Sequence, residues 1–175
     1  MENQVIKALC ERRSVRGYKS EQIKDEQLQQ ILKAATYAPT GRGKQAPVIV
    51  VVQDKETIAE ISRKNAEIMG TPDRDPFYGA PTVLIVLSDK SIPTHLEDGC
   101  LVMGNIMNAA HAVGVDSCWI HRAREEFSEQ FGKDLLKGWG VKGDYVGIGH
   151  VALGYRSGEY PAPAERKENY VYYVK

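Results

Sequence analysis

Three arginines and a serine fall within five residues near the start of the chain, in the run Arg12-Arg13-Ser14-Val15-Arg16. Guanidinium groups are planar forks of donors, and the hydroxyl adds another. Such a set suits a phosphate monoester, which takes several charge-assisted hydrogen bonds at once. The same residues read equally as a solvated basic turn or a short nucleic-acid patch. A second basic pair, Arg166-Lys167, lies at the far end of the chain. It is either a second grip on the same anion or exposed tail charge. Between them, the run Thr40-Gly41-Arg42-Gly43-Lys44-Gln45-Ala46-Pro47 combines glycines, a hydroxyl and an amide. Glycine lets a backbone approach a flat ligand closely, and an amide both donates and accepts, as the edge of a heteroaromatic ring requires. The alternative is a flexible connection.

Other chemistries find less support. Gly147-Ile148-Gly149-His150 has the outline of a dinucleotide loop. The next glycine, Gly154, comes too late and no helix follows, so the run reads as a glycine-interrupted strand. No pair among His95, His111, His121 and His150 has zincin spacing, so no metal site is expected. His111 reads as packing, while His121 ends a strand and can face a ligand. No Gly-x-Ser-x-Gly elbow supports serine hydrolysis. Cys10, Cys100 and Cys118 are odd in number and form no Cys-x-x-Cys pair. That argues against a disulfide framework and for a reducing compartment.

These residues need elements to hold them. Val5, Ile6 and Leu9 give a short helical face that runs into the basic cluster. Asp25 is expected to cap the next helix, whose stripe is Leu28, Ile31, Leu32, Ala35 and Ala38, and Pro39 ends it. Residues 48–52 are β-branched throughout, which suits a strand covered on both faces. A helix follows over about 55–69, then a loop over 70–81, then a second covered strand over 83–87. The segment 97–113 is rich in Gly and Ala and predicts a closely packed central helix, with Gly114 as its natural C-cap. A strand over 115–120, a helix over about 125–136 and a strand over 145–153 complete the core. The tail starts at Pro161 and Pro163 and ends in the strand-like run Tyr170-Val171-Tyr172-Tyr173-Val174. It is expected to add to a sheet, its own or a partner's. The fold class is mixed α+β.

The 175 residues suggest one domain over 1–175, with 159–175 as an extended arm. Lys plus Arg equals Asp plus Glu at 23 each, so no global field attracts nucleic acid or a membrane. The first residues lack a basic stretch followed by an apolar run, and no stretch is long enough to span a bilayer. A cytoplasmic location is expected.

Taken in order, these pieces resemble the nitroreductase family of FMN oxidoreductases. The resemblance runs from Arg12-Arg13-Ser14-Val15-Arg16-Gly17-Tyr18 through Ala38-Pro39-Thr40, Gln45 and the helix holding Asn65. It continues through Gly79-Ala80-Pro81, the long helix after Asp98 and Gly114-Val115-Asp116-Ser117-Cys118-Trp119-Ile120. It ends with Val151-Ala152-Leu153-Gly154-Tyr155 and the basic pair of the tail. It implies a three-layer fold with a central, mostly antiparallel sheet flanked by helices. It also implies a homodimer, exchanging its C-terminal strand and holding FMN at the interface. Arg12 and Ser14 would bind the FMN phosphate, with Arg13 nearby and Arg166 or Lys167 joining from the tail. Arg16 would lie near the N1 and O2 edge of the flavin. Pro39, Thr40 and Gln45 would come from the other subunit. Asn65 would contact the ring or ribityl chain, and Trp119, Ile120 and His121 would line the flavin away from the substrate. The chemistry would sit at FMN N5, with no protein nucleophile. NAD(P)H would be the reductant and a small molecule such as a nitroaromatic or quinone the acceptor, in a ping-pong cycle.

Two features depart from the family. The loop over 70–78 is compact, and Gly41, Arg42 and Gly43 stand where Ser and Asn are common. Arg42 and Lys44 would favour an anionic substrate or the NADPH phosphate. A non-enzymatic flavin store, and a flavoenzyme of the same fold doing reductive dehalogenation or flavin destruction, stay open at this point. Neither nucleic acid nor membrane is expected as a partner.

Overall fold

The computed structural model describes residues 3–175. Met1 and Glu2, where the expectation of a missing leader begins, lie outside the described residues. Helix α1 spans Gln4–Glu11 and is capped by Asn3, whose side-chain oxygen accepts from the Val5 and Ile6 amides. Helix α2 spans Asp25–Thr36. Asp25 does not cap it; it is the first helical residue, and Gln27 reaches back instead to accept from the Lys24 amide at 3.3 Å. Strand β1 (Pro47–Val52) leads into α3 (Lys55–Met69), which Asp54 caps and Gly70 ends in the left-handed conformation. Strand β2 (Thr82–Asp89) is followed by the long helix α4 (His95–Ala112) and β3 (Asp116–Ile120). Helices α5 (Ala123–Ser128) and α6 (Gln130–Gly138) precede β4 (Tyr145–Gly154).

The strands form one antiparallel sheet in the order β1-β2-β4-β3. Successive strand residues point to opposite faces, and the apolar side chains divide accordingly. Val83, Ile85 and Leu87 pack with Ile61 of α3 and Phe127 of α5. Leu84 and Val86 pack with Ile31 of α2 and with Met103 and Ile106 of α4. The result is a three-layer α+β fold. Helix α4 lies close against the sheet as its small residues predict: a Cβ added at Gly99 would collide with Ile148 of β4.

Two further sequence expectations change, and one is narrowed. The helix expected over 125–136 is two helices, broken at Glu129, which is extended at φ −82° and ψ 166°. The break folds α6 back onto α5 so closely that a Cβ at Gly132 would strike the Glu126 and Phe127 backbone. Strand β1 is not covered on both faces: its first five residues are half-buried or exposed, whereas β2 is buried along almost its whole length. The tail run over 170–174 forms no ladder within this chain, and its side chains are exposed. Among the described residues, no helix is long and apolar enough to cross a membrane.

One polar pair is sealed in the core. His150 Nε2 of β4 lies 2.7 Å from Glu126 Oε2 of α5, with neither side chain exposed. The Phe77 and Phe127 rings flank the imidazole at 5.3 and 6.3 Å between centroids. Breaking a buried pair strands the remaining polar group, which costs far more than the intact pair contributes. Glu126→Ala is therefore expected to lower unfolding stability by about 3 kcal/mol or more, read as a shift of the urea midpoint. A shift under a third of that would show that the pair is relieved by water.

Candidate functional site

The basic cluster follows α1 as an extended run laid along β3. Val15 N–H donates to the Ser117 carbonyl at 3.1 Å, and Ser14 bridges to Ser117 in parallel fashion. An extended run alternates its side chains, and the cluster sorts by parity. Arg12, Ser14 and Arg16 all surround the Cys118 thiol, while Val15 enters the core. Arg13 turns the other way: its Nη1 donates to the Cys10 and Arg12 carbonyls at 2.7 and 2.8 Å, closing the end of α1. Burial pushes the Cys118 thiol pKa up, against the opposing pull of Arg16, a hydrogen bond with Ser14, and Arg12. The thiol is a neutral neighbour of the cluster, not a nucleophile. Arg12 Nη1 is buried with no hydrogen-bond partner, and neither Arg12 nor Arg16 has an ion pair among the described residues.

Asn65 lies across β3 on α3, fully buried. Its Nδ2 donates to the His121 carbonyl at 2.8 Å, while its Oδ1 has no partner. The His121 side chain is exposed just past the strand. Trp119 and Ile120 point to opposite faces of the sheet. Trp119 packs toward the α2–α4 layer and Ile120 toward the α3–α5 layer.

The loop from Pro39 to Gln45 is held rigidly. Asp98, at the start of α4 and 2% exposed, accepts from the Gly41 amide at 2.9 Å and from the Thr94 hydroxyl at 3.1 Å. Thr40 Oγ1 accepts from the Gln45 amide at 3.1 Å. Arg42 and Gln45 take left-handed φ values of 53° and 50°, unusual without glycine. Such geometry persists only where the surroundings impose it. Thr40 and Gln45 border a cavity of about 410 Å³ that reaches Ala35, Val48 and Val102. Pro39 is exposed beside it.

This loop and the basic cluster are far apart. The loop enters the sheet at Pro47, which pairs with Ser88; the cluster meets Ser117, whose partner Leu153 pairs with Thr82. Thr82 and Ser88 are at opposite ends of β2, and β1 and β3 are opposite edges. The separation is roughly 20 Å along the strands and about 14 Å across them. Arg166 and Lys167 join neither group. Arg166 bonds the Ala164 carbonyl, and Lys167 Nζ sits 5.3 Å from the centre of the Tyr170 ring. In one chain Arg12, Ser14 and Arg16 thus stand together at Cys118 and Asn65 stands just past the end of the same strand, while Pro39, Thr40, Gln45, Arg166 and Lys167 lie elsewhere.

Sequence reasoning missed the contacts made by Asp98 and Tyr160. Asp98 carried a faint signal as one of two acids, with Glu97, in the first turn of α4; Tyr160 carried none.

Comparison with known proteins agrees with this architecture. The chain belongs to the nitroreductase family, whose model matches residues 9–155. A nitroreductase with bound FMN from Bacteroides fragilis has the same fold, with a TM-score of 0.91 at 26% identity over 99% of this chain and 100% of that one. An FMN-dependent nitroreductase from Clostridium difficile gives 0.87 at 30% identity over 99% and 100%. A protein from Archaeoglobus fulgidus, named as a candidate NADH dehydrogenase/NAD(P)H nitroreductase, is 28% identical over 159 residues, 88% of this chain and 86% of its own length.

The Asp98 contacts generate a prediction. Asp98→Ala leaves the Gly41 amide and Thr94 hydroxyl without their acceptor, at a cost of about 1–3 kcal/mol. The loop should lose its fixed shape, seen as faster amide exchange over residues 41–45 than in the wild type. Unchanged exchange there would mean that the loop is held by something else.

Proposed function

We propose that this chain is an NAD(P)H-dependent FMN oxidoreductase that works as a homodimer and passes electrons to a small organic acceptor such as a nitroaromatic or quinone. The observation that carries the reading is a pair of buried polar atoms, Arg12 Nη1 and Asn65 Oδ1, neither with a partner among the described residues. Orphaned buried groups cost about 1–3 kcal/mol each, so their persistence beside β3 argues for a ligand that supplies an anion to one and a donor to the other. FMN has both, and the residues present fit it. Arg12 and Ser14 would hold the phosphate, joined by Arg166 or Lys167 when the arm folds over. Arg13 supports them from behind by fixing the end of α1. Asn65 would meet the ring or ribityl chain. The His121 and Ile120 backbone and the partly buried Trp119 would border the flavin.

Bound FMN supplies hydride acceptance and donation at its N5; the protein supplies binding, orientation and electrostatics. The Arg16 guanidinium, placed near the N1 and O2 edge, would favour the negatively charged reduced cofactor and raise its potential. Donor and acceptor would use the same face in turn, which is the basis for ping-pong kinetics.

The homodimer is supported by the distance between the two groups of site residues. Pro39, Thr40 and Gln45 lie too far from Arg12 of their own chain to share a flavin with it, so they would serve a second copy's flavin. One domain spans 1–175, and the arm over 159–175, rooted on its own chain at Tyr160, would reach to that copy only with its end and lay 170–174 along its open β1 edge. Arg42 and Lys44, exposed and without ion pairs among the described residues, would then stand near the entrance and favour the 2′-phosphate of NADPH.

The absorption spectrum of the purified protein, before and after anaerobic NADPH, tests the reading: flavin bands should be present and bleach rapidly. A colourless protein that takes up no added FMN overturns it, and a flavin that does not bleach leaves a storage protein. Arg12→Ala is expected to weaken FMN binding by about 10- to 100-fold, as loss of a charge-assisted hydrogen bond does, with little change in potential. Arg16→Ala should mainly lower the midpoint potential; equal effects of the two on both quantities would refute the division of roles. Joint replacement of Arg42 and Lys44 by Ala should raise KM for NADPH and leave that for NADH near its original value, which steady-state kinetics with both nucleotides decides.

A further inference from the structure

Tyr160 stands at the root of the arm and is not a ligand of anything in the reading above, yet it bonds the backbone on either side of Arg12 and begins the segment that carries Arg166 and Lys167. Its phenolic oxygen accepts from the Arg13 amide at 2.8 Å and lies 3.0 Å from the Glu11 carbonyl and 3.2 Å from His111 Nδ1. A phenol has one proton to give. The Glu11 carbonyl can only accept, so the proton goes there, and His111 must donate from Nδ1. Every bonding direction of the oxygen is then used. The ring stacks on His111 with centroids 6.0 Å apart, and the Arg156 guanidinium lies 5.1 Å over it.

The placement matters because of what lies on each side. Glu11 and Arg13 bracket Arg12, so the phenol fixes the backbone turn from which Arg12 and Ser14 project. The arm departs from the same residue. Arg166 lies six positions after Tyr160, and an extended chain of that length reaches at most about 20 Å. Anchoring Tyr160 to the Arg13 amide therefore confines Arg166 and Lys167 to a short radius around Ser14 of their own chain. A free arm would have to give up the conformational freedom of those residues each time the phosphate was gripped.

We propose that Tyr160 is a positioning residue for the anion site: one hydroxyl holds the Arg12–Ser14 turn and tethers the arm carrying Arg166 and Lys167, so that both sides of the grip are set before the cofactor arrives. The inference rests on the FMN reading above. His111 belongs to the same device as the donor that completes the phenol's bonding and as the surface on which the ring lies.

Tyr160→Phe tests it, since the ring, its stacking and the Arg156 contact survive while the hydroxyl is lost. FMN affinity of the apoprotein, measured by quenching of flavin fluorescence, should fall about tenfold, as loss of a well-aligned hydrogen bond does. Amide exchange at Arg13 should quicken, and the FMN midpoint potential should stay at the wild-type value because Arg16 is untouched. His111→Phe, which keeps the stacking and removes the Nδ1 donor, should give a smaller loss of affinity in the same direction. Wild-type affinity in Tyr160→Phe with a lowered Tm makes Tyr160 merely structural and overturns the proposal while the FMN reading stands. A wild-type protein that binds no FMN overturns the reading on which it rests.

Discussion

The candidate site depends on one backbone hydrogen bond, from the Val15 amide to the Ser117 carbonyl at 3.1 Å. It converts the stretch after α1 into an extended run along the outer edge of β3. Extension imposes alternation, and alternation decides which members of a basic cluster share a face. Val15 is driven into the core at 3% exposure. Arg12, Ser14 and Arg16 are left together on the other side. Tyr18 locks the run further along, its hydroxyl donating to the Val15 carbonyl at 2.9 Å. Burial pushes that phenol far above its ordinary pKa, so it remains a neutral donor wherever the protein is folded. The run also occupies part of the outer edge of β3, which would otherwise invite pairing with other chains.

The same alternation explains what could and could not be read from sequence. Most elements were legible because composition and period agree: β-branched runs became β1 and β2, and the small-residue stretch became the central α4. The basic cluster was legible as a candidate anion site, but Arg12 and Arg13 are identical residues one position apart. Only the backbone's extension separates a guanidinium facing the site from one folded back onto the Cys10 carbonyl. Contacts set by distant chain segments left no local trace. Tyr160 meets Arg13 across 147 positions, and Asp98 meets Gly41 across 57. The break at Glu129 follows from how closely α6 must approach α5, a tertiary demand to which Gly132 is the answer. A helical period cannot register it.

Electrostatics gives the cluster its character. The chain as a whole carries no net charge, so the excess at Arg12 and Arg16 is local. Two guanidiniums beside one buried thiol, with no carboxylate paired to either among the described residues, repel one another, and Arg12 is partly desolvated as well. That arrangement is unfavourable by itself and becomes favourable when a dianion arrives. Stability and binding are therefore linked: a ligand present at 100 times its Kd stabilises the folded state by about 2.7 kcal/mol. A neutral protein with a concentrated cationic site gains affinity for a small phosphate without the long-range field that would draw in nucleic acid.

The unsatisfied apolar surface makes the strongest case for the proposed second copy. Val5, Ile6 and Leu9 turn outward from α1 at 67, 58 and 50% exposure. Strand β1 is built from valine and isoleucine yet keeps Val51 at 38% exposure, with one edge unpaired. The tail presents Tyr170, Val171, Tyr172 and Tyr173 with no ladder. Taken separately, each has its own trivial account, since helices fray, edge strands exist and tails are exposed. Taken together, they are complementary. A bare edge lacks a strand, a strand-like tail lacks an edge, and an amphipathic helix offers its apolar face beside the cluster that needs residues from the far corner of the sheet. At roughly 25 cal/mol per Å² of apolar surface, covering all three favours association strongly. The same act would bring the Asp98-pinned loop to the other copy's Arg12 and Ser14. Assembly of the dimer and completion of the cofactor site would then be one event, and an isolated chain would hold only half of each of two sites.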